Sequence, residues 1–350
     1  MELSRHDYIL KCIVDYFIKT ATPVGSSTLI EKYDLKYSSA TIRNEMALLE
    51  AQGLIEKTHS SSGRVPSSKG YRYYVENLRS NDFDNEMKNK LSVILNARAK
   101  SVEDVIKDSC EVISDMTHLA SLVLGPSANE ETLLSVQVVP LSRTSATAVF
   151  ITDKGYVENK TFILDQSTNI QDVQKCVEMM NTRLKGTPIS ELIDKMEAMK
   201  PIISSYVQSN DVIYRAFMEA FVKFASERVS LFGADNLLEQ PEFSSDTEKI
   251  KKMLRFIDSP DKIKKAAYSE EDLFIRIGES EDIDEGLQDV TVISKKIPFS
   301  GGGKGTIALV GPTRMDYDLV MNALEYLAEE LSKFLREERE NNEKEEEWRV

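Results

Sequence analysis

The stretch SSATIRNEMALLEAQGLIEKTHSSSGRVPSSKGYRYYV, residues 38–75, decides how the rest of the chain is read. Ser39 is a good N-cap, Ala40–Gln52 is rich in strong helix formers, and Gly53 supplies a stop, so a helix is expected here. At about 100° per residue, Ile42, Met46 and Leu49 fall on one face, and Ala40, Arg43, Asn44 and Ala47 on the other. A face of two small residues, one Arg and one Asn suits the major groove of DNA. Small side chains let the helix sink in, an Arg fork matches guanine, and an Asn fork matches adenine.

The residues after Gly53 strengthen that reading. Leu54–Lys57 reads as a short strand, Thr58–Arg64 as a small polar hairpin tip, and Val65-Pro66 as the return. From Lys57 through Val75 there are four basic residues and no acid. Hydroxyls, glycine amides and Arg or Lys are the groups that bind phosphate and fix a protein's register on a duplex. The candidate DNA-binding residues are therefore Ser39, Ala40, Thr41, Arg43, Asn44 and Ala47 on the helix, with Lys57, His59, Ser61, Gly63, Arg64, Lys69 and Arg72 in and after the hairpin.

Upstream, Leu3–Thr20 carries an apolar stripe of Ile9, Ile13, Tyr16 and Phe17, and Pro23-Val24-Gly25 breaks it. Ser26 can cap a short second helix over Ser27–Tyr33. Ser67 or Ser68 can cap a fourth over Lys69–Arg79, whose Tyr71, Tyr73 and Tyr74 close the small core. Helix, turn, helix, reading helix and basic hairpin make a winged helix-turn-helix.

The 350 residues allow two or three domains, and the formal charge is −14. That charge is uneven: residues 1–79 hold 11 Lys+Arg against 9 Asp+Glu, and the remainder 33 against 49. A basic tip on an acidic body confines nucleic acid to one end of the chain. Three scattered cysteines indicate neither a zinc site nor a disulfide framework, and no apolar run resembles a signal peptide or membrane span, so a soluble cytoplasmic protein is expected.

The turn-rich 80–85 reads as a domain boundary, and 81–119 as connecting helices broken near Ser101. Strands are expected at 121–124, 134–139, 144–151, 156–164, 273–277, 290–293 and 306–310, with helices over 169–185 and 316–335. This is an α+β layout in which 120–186 and 266–335 share an antiparallel sheet, interrupted by a mainly helical insertion at 187–265 that packs its own core or makes an oligomer contact. The charged 336–350 is expected as a solvated tail.

Enzyme chemistry finds little support. His6, His59 and His118 are scattered, without the i, i+4 partner of a helical metal site. Gly301-Gly302-Gly303-Lys304-Gly305 lacks the spacing and following helix of a phosphate loop and reads as a hairpin loop. Arg314, next to Asp316, is expected to cap or pair locally at a helix start.

Residues 38–75 closely resemble the DNA-binding signature of the bacterial HrcA-type heat-inducible transcription repressors, most narrowly in Gly63-Arg64-Val65-Pro66-Ser67 and GYRYYV at 70–75. GPTRMDYDLVMNALEYLAEEL at 311–331 is similar to that family's C-terminal signature, with weaker likenesses at 124–126, 138–141, 151–159 and 277–280. Ser60-Ser61-Ser62 and Glu279-Ser280-Glu281 depart from its pattern. The resemblance implies a homodimeric repressor of chaperone operons that binds an inverted-repeat operator in double-stranded DNA, with no cofactor. It also implies a GAF-like domain, an inserted dimerising subdomain, and activity that depends on a GroEL-type chaperonin. The alternative is a repressor whose middle domain holds a small-molecule pocket.

Overall fold

The structure is a computed structural model and describes residues 3–58, 63–97, 102–126, 131–142, 145–163, 170–206, 214–215, 217–219, 221–222, 229–278, 289–299 and 303–347. Helices and antiparallel strand pairs alternate along the chain, an α+β fold. It divides into two compact units: Met1–Val123 with Ser230–Lys296 and Thr306–Leu331, and Leu124–Val229 with Ile297–Gly305 and Ser332–Val350.

The first unit begins with α1 (Arg5–Thr20), α2 (Ser26–Tyr33) and α3 (Ser39–Ala51). They lead into a hairpin of β1 (Ile55–Lys57) and β2 (Arg64–Pro66), closed by α4 (Ser68–Asn77). Ser4 caps α1 by accepting from the Asp7 N–H, and Ser67 caps α4 by accepting from Gly70 N–H. Ile9, Leu10, Ile13, Val14, Leu29, Ile42 and Leu49 are wholly buried between the helices. Each contributes roughly 1.5–3 kcal/mol by leaving water. Two caps differ from expectation. Ser38, not Ser39, caps α3 by accepting from Thr41 N–H, and α2 starts at Ser26 behind Gly25 without a side-chain cap. The freed hydroxyls of Ser26 and Ser39 meet each other at 3.0 Å, which ties α2 to α3.

Residues 80–85 are held to the body of this unit rather than left as a free linker. α5 (Asn85–Leu95) is capped by Asp84, and α6 (Val102–Thr117) follows. α6 feeds a five-stranded sheet in the order β7-β3-β10-β9-β8. Its strands are β3 (Ala120–Leu124), β7 (Val229–Phe232), β8 (Leu273–Ile277), β9 (Val290–Pro298) and β10 (Lys304–Pro312). The short helices α9 (Ala234–Glu239), α10 (Pro241–Ser244), α11 (Thr247–Ile257) and α12 (Pro260–Ala267) connect β7 to β8. The last helix, α13, runs over Tyr317–Glu347, so the charged end continues the helix instead of starting a tail at 336.

The second unit is built on a separate meander of β4 (Leu133–Pro140), β5 (Ser145–Thr152) and β6 (Val157–Ile163). Its inner face packs Val136, Ala148 and Phe150 against α7 (Ile170–Leu184) and α8 (Leu192–Tyr206), with Phe217 and Phe221 edge-on to Phe150. Asn181 of α7 donates to the Val136 carbonyl and accepts from its N–H, both at 2.7 Å, standing in for a neighbouring strand.

The expected division is therefore corrected. Strands 121–124 and 134–164 belong to different sheets, and residues 187–265 do not form one body. α8 completes the meander's core while α9–α12 lie in the first unit. Strand composition identifies strands, but pairing between distant strands is settled by packing that local pattern does not encode. Ser60–Ser62, Glu279–Glu281 and Gly301-Gly302 lie outside the described residues. Lys304 opens β10, beside β9 in the sheet, and Phe299 N–H donates to Gly303 O, as a hairpin requires.

Candidate nucleic-acid interface

α3 presents the expected face. Ala40, Arg43, Asn44 and Ala47 are exposed, Ser39 and Thr41 are half-buried at its start, and Ile42, Met46 and Leu49 point inward. Leu48, 55% exposed, widens this face with an apolar side chain that no helix core requires. Arg43 Nε lies 3.4 Å from Ser26 Oγ, which tethers one nitrogen and leaves the rest of the fork outward. Gly53, at φ +73, is the left-handed residue that ends α3 and turns the chain into β1.

The hairpin pairs Ile55 with Pro66, Glu56 with Val65 and Lys57 with Arg64. A third segment joins it: Val24 and Arg64 exchange backbone hydrogen bonds of 2.9 Å in both directions. Gly63 is buried, and a Cβ there would meet Pro23 Cβ at 2.7 Å, so only glycine lets the hairpin approach the turn after α1 so closely. Arg64 is not a free cation at the tip. Its Nε and Nη2 donate to Glu50 Oε2 at 2.9 and 2.7 Å, and its side chain is 14% exposed. Lys57, 63% exposed, reaches the other Glu50 oxygen at 3.5 Å. Burial opposes ionisation of Glu50, but Arg64 and Lys57 outweigh it and hold the carboxyl below its usual range.

Lys69 Nζ donates to the Gln52 carbonyl at 2.9 Å, a cation at the C-terminal end of α3. It remains exposed, as does Arg72 one turn further along α4. Arg43, Asn44, Lys57, Lys69 and Arg72 thus offer polar or cationic groups at the surface, while Arg64 is paired with Glu50 and Gly63 is packed against Pro23. His59 and Ser61 lie outside the described residues.

The inner side of α3 holds a polar contact that hydrophobic periodicity conceals. Glu45, 9% exposed by side chain, accepts from Arg5 Nε at 2.7 Å and lies 3.0 Å from His6 Nδ1. The other His6 nitrogen lies 3.0 Å from Gln52 Oε1. The hydrogen bond with His6 lowers the Glu45 pKa against the opposing effect of burial, and Arg5 adds to it. Burial pulls the His6 ring down, but Gln52 and Glu45 outweigh it and raise the ring above its ordinary value. The signal for this triad was a charged residue at a core position of the helix.

Behind the helices, the C-terminal signature docks. Tyr74 Oη shares its one proton between Asp15 at 2.9 Å and Asp318 at 3.1 Å, and Ser80 N–H donates to Asp318 at 3.0 Å. Asn322 Nδ2 donates to the Ser80 and Asp82 carbonyls, both at 3.2 Å, and Arg79 Nη2 donates to both Glu325 oxygens at 2.8 and 3.0 Å. Arg314 does not act locally at the helix start as expected. It donates to Glu242 at 2.6 Å and to the Ile18 carbonyl at 2.9 Å, while Asp316 accepts from Leu319 N–H. No helix among the described residues is long and apolar enough to cross a membrane.

Comparison with known proteins agrees with these two signatures. The family described as HrcA protein C terminal domain matches residues 103–321. The heat-inducible transcription repressor HrcA of Halalkalibacterium halodurans is 38% identical over 96% of this chain and 98% of its own. That of Bacillus pumilus is 37% identical over the same shares. A crystal structure of a hypothetical protein, 24% identical, superposes with a TM-score of 0.66 over 95% of this chain and 98% of that one, so the fold is shared. The chain belongs to the HrcA family of heat-inducible transcription repressors, which are regulators of transcription and not enzymes.

Proposed function

We propose that this repressor binds double-stranded DNA through α3 in the major groove, with the β1–β2 hairpin as a wing against the backbone. The observation that carries this reading is the outward row Ala40, Arg43, Asn44 and Ala47 on a helix anchored from behind by the Glu45 triad. Arg43 and Asn44 read base edges, the small residues admit the helix, and Lys57, Lys69 and Arg72 face phosphates. Ser39 and Thr41 at the start of α3 add hydroxyls for the backbone. The operator is an inverted repeat upstream of chaperone operons, bound by a homodimer that places two copies of α3 about one helical turn of DNA, or a multiple of it, apart. Repression depends on a GroEL-type chaperonin, in keeping with the family. The protein works where the chromosome is, in the cytoplasm.

Selection of bound fragments from random DNA tests this directly. The expected result is one inverted repeat with a fixed half-site spacing. Enrichment of a single unpaired site, or of no sequence at all, would defeat the proposal. Mixing experiments with purified chaperonin then test the dependence: operator occupancy should rise with chaperonin and not with small metabolites.

A further inference from the structure

The hairpin's top rung carries two cations facing each other, Lys57 opposite Arg64. Like charges directly opposed across an antiparallel pair are destabilising. Here one carboxylate from a different element separates them, Glu50 Oε1 toward Lys57 and Oε2 toward Arg64. Glu50 follows Arg43 and Ala47 at i+7 and i+3, so it lies at the C-terminal end of the reading face itself. The backbone of Arg64 is fixed on both sides, by Lys57 in the hairpin and by Val24 after α1. Its guanidinium is turned inward to the helix and away from solvent.

We infer that Glu50 is a positioning residue for DNA recognition, latching the wing to the reading helix through Arg64, and that Arg64 is a strut and not a phosphate contact. The inference rests on the DNA-binding reading above. A helix in the groove and a wing on the backbone read one duplex in one register only if the distance between them is set before binding, which lowers the ordering cost of association. Without the latch, the hairpin retains its rungs but loses its aim, and a bare carboxylate is left beside the reading face. The latch also consumes one positive charge at the top rung, leaving Lys57 as the exposed cation there.

The test is binding by Glu50→Gln, Arg64→Lys, Arg64→Gln and the exchange Glu50→Arg with Arg64→Glu, measured on the selected operator and on an unrelated duplex across a salt series. Glu50→Gln and Arg64→Lys are expected to lose about tenfold on the operator, the scale of a partly buried forked ion pair. Binding to the unrelated duplex and the salt slope should stay unchanged. Arg64→Gln should leave the slope unchanged too, whereas losing one phosphate contact flattens it by about 0.9. The exchange should recover most of the operator affinity, which a direct phosphate contact by Arg64 forbids. The inference is overturned if Arg64→Lys binds like the parent while Arg64→Gln flattens the slope, or if the exchange melts like the parent yet recovers nothing. It is equally overturned if Glu50→Gln binds every duplex more tightly with a steeper slope, because Glu50 would then only repel phosphate. Should Glu50→Gln melt early, Arg64→Lys and the exchange still decide. A parent that fails to distinguish operator from unrelated DNA defeats the DNA-binding reading and not the latch.

Discussion

Gly70→Ala is the sharpest test of how the hairpin is seated. Gly70 sits in the first turn of α4 with an ordinary helical backbone, and its N–H is already used by the Ser67 cap. On propensity alone, alanine would stabilise this helix by about 1 kcal/mol. The surroundings reverse the sign. A Cβ at position 70 would stand 1.9 Å from the Leu54 carbonyl oxygen and 3.0 Å from its carbon, and real Cβ atoms essentially never come under 3.0 Å. Helix and strand must part by about 1.1 Å, and neither yields freely, because the Leu54 carbonyl also accepts from Ser67 N–H at 3.1 Å. Overpacking of this kind costs about 1–3 kcal/mol, and the strained hydrogen bond about 1 more. Set against the propensity gain, the net loss is about 2 kcal/mol. Because Leu54 leads directly into β1, the displacement also shifts the wing. Urea titration followed by far-ultraviolet circular dichroism measures the first effect, and operator titration the second. A Gly70→Ala protein as stable as the parent would show that the close approach of α4 to the hairpin is not real.

Four further outcomes are expected from the geometry. Arg43→Ala and Asn44→Ala should each cost about 1–3 kcal/mol on the operator and broaden the selected sequence at one position per half-site, read by competition titration. Tyr74→Phe removes a hydroxyl proton shared by two carboxylates, one hydrogen bond to charged groups, and should destabilise the first unit by roughly 2 kcal/mol in denaturant titration. His6 has its pKa raised on folding, so its contribution is complete below the ordinary value near 6.5 and fades as pH rises through the folded value. The stability difference between parent and His6→Gln should therefore shrink as pH rises through the folded value, above 6.5. Glu45, lowered on folding, contributes above the ordinary carboxylate range and loses that contribution as pH falls through its folded value. The acid limb should thus weaken in His6→Gln, where Arg5 alone still favours the carboxylate, and weaken further in Glu45→Gln.

The outward face of α3 was legible because a 3.6-residue period separates Ile42, Met46 and Leu49 from Arg43, Asn44 and Ala47 without knowledge of any partner. Periodicity names faces, and it stops there. It could not say that Arg64 and Lys57 share Glu50, since that pairing depends on how the hairpin folds back over α3. Nor could it distinguish Ser38 from Ser39 as the cap, because either hydroxyl satisfies the rule and the contact with Ser26 decides. The three strands of the meander were legible, but their separation from the other sheet escaped for a different reason. β3 and β4 are both rich in Val and Leu and close in sequence, yet one pairs with strands beyond residue 229 and the other with its immediate successor. The signature at 311–331 was visible as a motif, and its reason was not: Arg314, Asp318, Asn322 and Glu325 serve the first eighty residues and their linker.

That last arrangement has a consequence for synthesis. The Ser80 N–H and carbonyl wait for partners 238 and 242 residues downstream. At about 5–20 residues per second, a ribosome takes roughly 12–50 s to supply them. Contacts among α1–α4 and the hairpin span fewer than eighty positions and close early. A newborn chain therefore presents α3 long before the segment that anchors the N-terminal block has been made. Synthesis of the segment that carries Asp318 and Asn322, and not emergence of the N-terminal block, is the event that fixes residues 80–82 in place.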